Sequence, residues 1–227
     1  MMQGTLWAWW PMWCQRGWSH GAKVNIVYDH GPNGYYVYKN VETEKPTWEG
    51  SYGVPLFDGN DRMYQGTPII PVMNGASYDR LLSWAVVHNL VGLTSAKIWG
   101  HHNWTGNAGT ALGCNTGYRG WEFAATNGWN DSPGPSTFGP KTVDVAYIVC
   151  SAGKTLADCF VRECGIDRTT HRNPAAMVNR SGGLHIGANA LGAEQWRGGI
   201  AEVGAVLNHT DQDLEQLEKY LKSFYGF

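Results

Sequence analysis

Charge is scarce in this chain. Asp, Glu, Lys and Arg make up 16% of its 227 residues, against about 25% in an ordinary globular protein. The formal net charge is −2, so no basic field exists to draw in nucleic acid or an anionic membrane surface. No apolar run approaches the ~18 residues of a spanning helix, which excludes membrane insertion by that route. Cysteine is also sparse. Cys14, Cys114, Cys150, Cys159 and Cys164 contain no C-x-x-C, which argues against zinc, and five cannot all pair within one chain. They read as small buried hydrophobes or thiols, with a bridge such as Cys150–Cys159 left open for an oxidising setting. The opening Met1-Met2-Gln3-Gly4-Thr5-Leu6-Trp7 lacks the basic and apolar regions of a signal peptide, so synthesis in a reducing cytoplasm is expected.

Catalytic patterns are missing too. There is no Walker or Rossmann fingerprint. Gly17-Trp18-Ser19-His20-Gly21 spells G-x-S-x-G, but the strand-like run Val24–Tyr28 follows it where a nucleophile elbow needs a helix. His101 and His102 are adjacent, and neighbours on a strand point to opposite faces, so they chelate one ion poorly. Same-strand carboxylates spaced by two, as in E-x-D-x-E, do not occur. Asp58 and Asp61 read as a turn, Asp211 and Asp213 as a helix cap, and Glu42 and Glu44 as a solvated turn. The expectation is that the protein is not an enzyme.

Aromatics and turn formers are plentiful. Twelve Trp and eleven Tyr exclude intrinsic disorder. Thirty Gly and ten Pro predict many short strands and turns. Strand-like runs fall at Leu6–Trp10, Val24–Tyr28, Tyr35–Tyr38, Val54–Phe57, Leu82–Val87, Ala96–Trp99, Trp121–Ala124, Val143–Val149, Leu184–Ile186 and Ile200–Leu207. Several are apolar on both parities, as in a sandwich with covered faces. The Gly/Pro/Ser-rich stretch Asn127–Pro140 reads as a long loop. One helix is predicted at the end. Thr210 caps it with Asp213, Leu214, Leu217, Leu221 and Phe224 form its apolar stripe, and Gly226 stops it. The fold expected is an all-β antiparallel sandwich closed by one C-terminal amphipathic helix, with residues 1–227 as a single domain.

Several segments taken in order resemble the laminin-G-like, concanavalin A-like lectin/glucanase jelly roll. Leu6-Trp7-Ala8-Trp9-Trp10-Pro11 is similar to that family's aromatic first strand, and Asp29-His30-Gly31-Pro32-Asn33-Gly34 to its D-x-S-G-N-G-N loop. Lys45-Pro46-Thr47 and Val54-Pro55-Leu56-Phe57-Asp58-Gly59-Asn60-Asp61 follow at family-like distance. Leu184-His185-Ile186-Gly187 and Trp196-Arg197-Gly198-Gly199-Ile200-Ala201-Glu202-Val203 resemble the ending, with Tyr220-Leu221 and Tyr225-Gly226. Residues 69–183 match by order alone. The resemblance implies a concanavalin A-like jelly roll whose first and last strands adjoin. It also implies calcium as the usual accessory, with Asp29, Asn33 and Glu202 as possible oxygen ligands. His30 and Pro32 depart from the family loop.

Sugar sites pair a flat ring face with amide and carboxylate partners for hydroxyls. Two segments outside the strand runs combine these types. Asn103, Trp104 and Asn107 form one, and Trp129, Asn130 and Asp131 the other. Trp7, Trp9, Trp10, Trp84 and Trp121, in or beside strand runs, read as core. The function expected is a non-catalytic structural or adhesive protein, a phage virion component such as a capsid decoration, fibre or tail protein. A free-standing, extracellular carbohydrate-binding lectin is the alternative, and a divergent glycoside hydrolase a third. Partners are then other virion or assembly proteins, or cell-surface glycans. The surplus of aromatics predicts a homo-oligomer with Trp104 or Trp129 in its contact.

Overall fold

The computed structural model describes residues 4–15, 17–51, 53–65, 79–88, 95–103, 108–115, 118–125, 128–134, 145–153, 156–158, 160–167, 169, 184–188 and 195–226. Sixteen strands lie among them. In chain order, β1 is Thr5–Pro11, β2 Ile26–Tyr28, β3 Tyr36–Tyr38, β4 Thr47–Glu49, β5 Val54–Asp58 and β6 Met63–Gln65. Then come β7 Arg80–His88, β8 Ser95–Asn103, β9 Ala108–Asn115, β10 Tyr118–Ala125 and β11 Gly128–Gly134. The last are β12 Val145–Gly153, β13 Phe160–Glu163, β14 Ile166–Asp167, β15 Leu184–Ile186 and β16 Arg197–Leu207, before the helix α1, Asp211–Tyr225.

The strands form two antiparallel sheets, an all-β sandwich. The first runs β14-β13-β12-β7-β16-β5-β4, with β1 also paired to β16, and the second β11-β10-β9-β8-β15-β6-β3-β2. Every predicted strand run overlaps one of these elements, with Val143 and Asp144 of one run outside the described residues. As expected, β1 and the last strand adjoin, with Trp9 opposite Gly204 and Trp10 opposite Val203. Alternation then divides the side chains. On β7, Leu81, Ala85 and Val87 enter the core between the sheets, while Leu82, Trp84 and Val86 face the other way. The second sheet sends Val27, Val37, Met63, Trp99, Leu112, Leu184 and Ile186 inward.

The outer face of the first sheet is apolar and is covered by α1. Leu214, Leu217 and Leu221 bury against Leu82, Trp84, Tyr147, Val149 and Val206, at roughly 1.5–3 kcal/mol for each leucine. The helix is well terminated. Thr210 Oγ1 accepts from the Asp213 N–H (3.2 Å) while Asp213 Oδ2 accepts from the Thr210 N–H (2.7 Å). The same carboxylate oxygen also accepts from the Gly4 N–H at 3.0 Å, which ties the start of β1 to the helix cap. Gly226 ends α1 at φ 78°, a left-handed conformation that suits glycine.

A bulge in β16 adds a polar anchor beneath that helix. Register shifts between Ile200 and Glu202, so Ala201 and Glu202 do not alternate strictly and Glu202 turns toward α1. Its carboxylate has no exposed surface. Oε1 accepts from Trp84 Nε1–H at 2.7 Å and Trp9 Nε1–H at 3.0 Å, and Oε2 accepts from the Tyr220 and Tyr225 hydroxyls, both at 2.8 Å. Burial, and then the neighbouring carboxylate charge, push both phenols up from the ordinary tyrosine range. Trp84 reaches Glu202 by lying across Gly204, where a Cβ would come within 2.2 Å of its ring.

The stretch predicted as the loop Asn127–Pro140 contains β11, paired to β10 with Pro133 opposite Gly120. Proline is tolerated there because β11 is an edge strand and owes no N–H to a second neighbour. The turn after β5 is held by Asp61, whose Oδ2 accepts from the Asp58 N–H at 2.8 Å. Asp61 has no exposed surface, and its Oδ1 is buried without a hydrogen-bond partner. Burial pushes its carboxyl up to about 6. The folded chain therefore holds this proton more tightly than the unfolded chain, and Asp61 costs stability as pH rises from about 4 to about 6. In Asp61→Asn the amide oxygen still accepts from Asp58, and that slope is expected to disappear. Urea midpoints of both proteins at pH 4 and pH 7 check this: the variant should gain on the order of 2–3 kcal/mol relative to the parent between the two. A parallel pH dependence would contradict it.

Candidate functional site

Sheet two presents the opposite design from the helix-covered face of sheet one. Tyr36 and Tyr38 alternate with buried Val37 on β3, so both stand on the outer face. Tyr28 of β2 is the cross-strand partner of Tyr36, Tyr64 of β6 is the partner of Tyr38, and His185 of β15 is the partner of Tyr64. Their rings form one continuous row. Centroids are 6.2 Å apart from Tyr28 to Tyr36, 6.2 Å from Tyr36 to Tyr38, 4.5 Å from Tyr38 to Tyr64 and 6.2 Å from Tyr64 to His185. Tyr28 is 53% exposed and the others are half-buried. A hydrogen bond with Tyr64 holds the Tyr38 phenol above the ordinary range. The Lys39 ammonium lies 5.2 Å from the Tyr64 ring centroid and pairs with Glu44.

Strand register carries the row onward. His185 is opposite Gly100, Gly100 opposite Ala111, Ala111 opposite Glu122, and Glu122 opposite Asp131. Five aromatic positions thus lead across two small residues to two acidic ones. Of the predicted sugar-contacting residues, Asp131 lies in this row. Trp129 shares its parity two residues away, and Asn130 takes the alternate parity on β11. Asn103 ends β8, opposite Ala108. Trp104 and Asn107 lie outside the described residues. The two predicted patches were expected in loops; β11 and the end of β8 are strands instead. The tyrosine row itself escaped the sequence reading, which looked for tryptophan in loops. Its signal was there in Tyr36-Val37-Tyr38, a period-two aromatic pair. Among the described residues, Trp7, Trp10, Trp48, Trp84, Trp99 and Trp196 are all buried. Trp9, expected in the core, is half-buried at the edge of β1 and supplies its indole N–H to Glu202.

A second arrangement was also invisible in the sequence. Ser151 Oγ and His209 Nε2 are 2.8 Å apart, and both residues are buried. Burial holds the imidazole below its usual range. A nucleophilic serine must meet its substrate, and this one is closed to solvent, so the pair ties β12 to the residues before α1.

No family model matches the chain, and no curated protein matches it in sequence. Solved structures do match its shape. Domain 4 of an extracellular GH43 arabinanase from Geobacillus stearothermophilus, solved with arabinotriose, is 13% identical with a TM-score of 0.55 over 95% of this chain and 98% of its own. An arabinofuranosidase complexed with arabinofuranosyl-α-1,2-xylobiose is 11% identical with a TM-score of 0.54, over 87% of this chain and 50% of that one. A Trypanosoma rangeli sialidase, solved as a covalent intermediate with 2,3-difluorosialic acid, is 13% identical with a TM-score of 0.57, over 96% of this chain and 33% of that one. This chain therefore spans half or less of those two enzymes. At such identities the likeness establishes the fold alone, a β-sandwich.

These comparisons correct two expectations, that of a non-catalytic virion component and that of a chain with no enzyme character. The proteins sharing the sandwich are glycoside hydrolases, sialidases or a domain of one. Spacing by two along one strand, as in E-x-D-x-E, says nothing of residues that face each other across strands, as Glu122 and Asp131 do in register.

The residues considered for calcium meet at β1, each through hydrogen bonds of its own. Asp29 Oδ1 accepts from the Trp9 and Gly31 N–H groups, both at 2.7 Å, and Asn33 Nδ2 donates to the Trp7 carbonyl at 2.7 Å. Burial pushes the Asp29 carboxyl up. Glu202 does not fit a cation, because each of its oxygens already accepts two hydrogen bonds. Among the described residues, no group of three or more His, Cys, Asp or Glu is placed to hold a metal. Glu202 is thus a structural acceptor. Glu202→Ala leaves two indole and two phenol donors without it, at about 1–3 kcal/mol for each donor that stays buried. A loss of at least about 3 kcal/mol in urea unfolding is expected, with Glu202→Gln in between. An unchanged midpoint in Glu202→Ala would remove the anchor from the account.

Proposed function

We propose that this chain is a glycan-binding β-sandwich serving glycan-processing chemistry, and that the outer face of sheet two holds the sugar chain. The observation that carries the reading is the row Tyr28, Tyr36, Tyr38, Tyr64 and His185. Pyranose and furanose rings offer C–H groups that pack on aromatic faces, while their hydroxyls need donors and acceptors at the edges. Phenol hydroxyls and an imidazole supply those edges, and the register leads on to the acidic positions Glu122 and Asp131. The row crosses β2, β3, β6 and β15, roughly 14 Å at an inter-strand spacing of about 4.8 Å, which suits an oligosaccharide better than a single sugar. The structurally similar proteins support the same reading, since they were solved with arabinotriose, an arabinofuranosyl-xylobiose and a sialic acid analogue. Oligosaccharides of arabinose, xylose or sialic acid are accordingly the first candidates, and cell-surface or plant-wall glycans the partners. The finer kinship, with laminin-G-like and concanavalin A-like jelly rolls, is supported by the adjacency of β1 and β16, which carry the resembling termini.

A second reading, that the same face also cleaves its glycan, is favoured by the register of Glu122 opposite Asp131. Directly opposed strand residues have Cβ atoms about 4.5–5.5 Å apart, and glycoside hydrolysis commonly uses a pair of carboxyl groups. Calorimetric titration with arabino-, xylo- and sialo-oligosaccharides tests both readings. Tyr38→Ala and Tyr64→Ala are each expected to weaken binding at least tenfold, about 1.4 kcal/mol, with little change in melting temperature because both rings are partly in solvent. Glu122→Gln should keep affinity within a few-fold and abolish any release of reducing ends. Equal affinity in both tyrosine variants would defeat the proposal.

A further inference from the structure

At the edge of the molecule next to β1, a thiol and an imidazole are held together by the fold. Cys14 ends a single 3-10 turn, Met12–Cys14, directly after β1. His30 follows β2, and its N–H donates to the Trp9 carbonyl at 2.7 Å. Cys14 Sγ is 3.4 Å from His30 Nε2 and 3.7 Å from Nδ1. Other groups keep the ring in place. Gln15 Nε2 lies 3.3 Å from His30 Nε2, and Gln15 is itself fixed by Tyr28, donating to its carbonyl and accepting from its N–H, both at 3.1 Å. Trp9 meets the imidazole edge-on, with centroids 6.3 Å apart at 73°. The thiol has a second acceptor in the Pro11 carbonyl at 3.2 Å. Cys14 is half-buried and in no disulfide, and the pair faces solvent. Among charged and titratable groups, Asp29 stands on the His30 side, and Tyr220 of α1 lies near Cys14 with its phenol pushed up by burial.

We propose that Cys14 is a nucleophilic thiol activated by His30, and that it is a site of reversible thiolation by small disulfides of the glutathione type. An imidazole beside a thiol accepts its proton and stabilises the thiolate, which is the nucleophile in disulfide exchange. His30 takes the proton from Cys14. The thiolate attacks one sulfur of the disulfide, a new S–S bond forms to Cys14, and the old S–S bond breaks. The departing half leaves as a thiolate and takes the proton from the imidazolium. The small disulfide is the oxidant and is reduced to one thiol. The adduct would sit beside Trp13, which is 37% exposed and packs on Phe224 of α1 with ring centroids 4.6 Å apart.

The test is the pH profile of Cys14 reaction in the folded chain, followed by peptide mass mapping after iodoacetamide or oxidised glutathione. The expected midpoint lies below the ordinary thiol value of about 8.5, and His30→Gln should slow labelling at pH 7 at least fivefold while rates converge above about pH 9.5. Cys14 should also be the first cysteine to carry glutathione. A midpoint at or above that of the urea-unfolded chain, or a His30→Gln rate equal to the parent at pH 7, would overturn the proposal. Should His30→Gln not fold, the parent's own midpoint against the unfolded chain decides it.

Discussion

A carboxylate without exposed surface, Glu202, fixes how the pieces of this sandwich sit on one another. Burying a charge with no cation beside it costs several kcal/mol unless its lone pairs are filled. Here two indoles and two phenols fill them. Those donors come from β1, β7 and the C-terminal half of α1, so one anion demands that three elements meet at one place. Apolar burial gives the helix most of its binding energy but little directional preference. The hydrogen-bond geometry around Glu202 adds direction. It also explains the aromatic first strand: Trp7 and Trp10 enter the core, and Trp9 is kept for its N–H.

Placement of the helix sets the two sheets apart. With α1 over the outer face of sheet one, that sheet has both faces covered and reads as apolar on both parities. Sheet two keeps an outer face over which the described residues place no helix, and there the chain puts tyrosine and histidine in place of leucine and valine. Tyrosine suits such a position, since its ring offers an apolar face while its hydroxyl stays wet. The two sheets thus differ in what their outer faces present. Sheet one and its helix carry the hydrophobic clamp, and sheet two carries the ring row and, farther along the same register, Glu122 and Asp131.

Much of the fold was legible because its signals are local. Thr210, Asp213 and Gly226 mark the helix ends, and runs such as Leu82–Val87 and Ile200–Leu207 are apolar enough to be strands in any context. The strand Ala108–Asn115 was not legible. Its small residues have little strand preference, and its pairing is imposed by β8 and β10. Gly128–Gly134 was hidden by Pro133, which an edge strand accommodates. Glu202 was considered as a calcium ligand, but a single bulge and the tyrosines of the following helix make it a buried anchor. The candidate site was harder still. A row across a sheet joins residues 28, 36, 38, 64 and 185, whose neighbourhood exists only after four strands have found their register. The Glu122–Asp131 pair is hidden for the same reason, because spacing along one strand says nothing about the strand beside it.

The central claim is that the tyrosine face of sheet two is where glycan is held. Titrating the protein with an arabino- or sialo-oligosaccharide while following side-chain NMR signals tests this directly. The account expects saturable shifts at the rings of Tyr28, Tyr36, Tyr38 and Tyr64 and at the His185 imidazole, with the buried indoles of Trp10, Trp84 and Trp196 unmoved. Binding whose shifts fall on the helix side, around Trp13 and Phe224, with the tyrosine row silent, would contradict it.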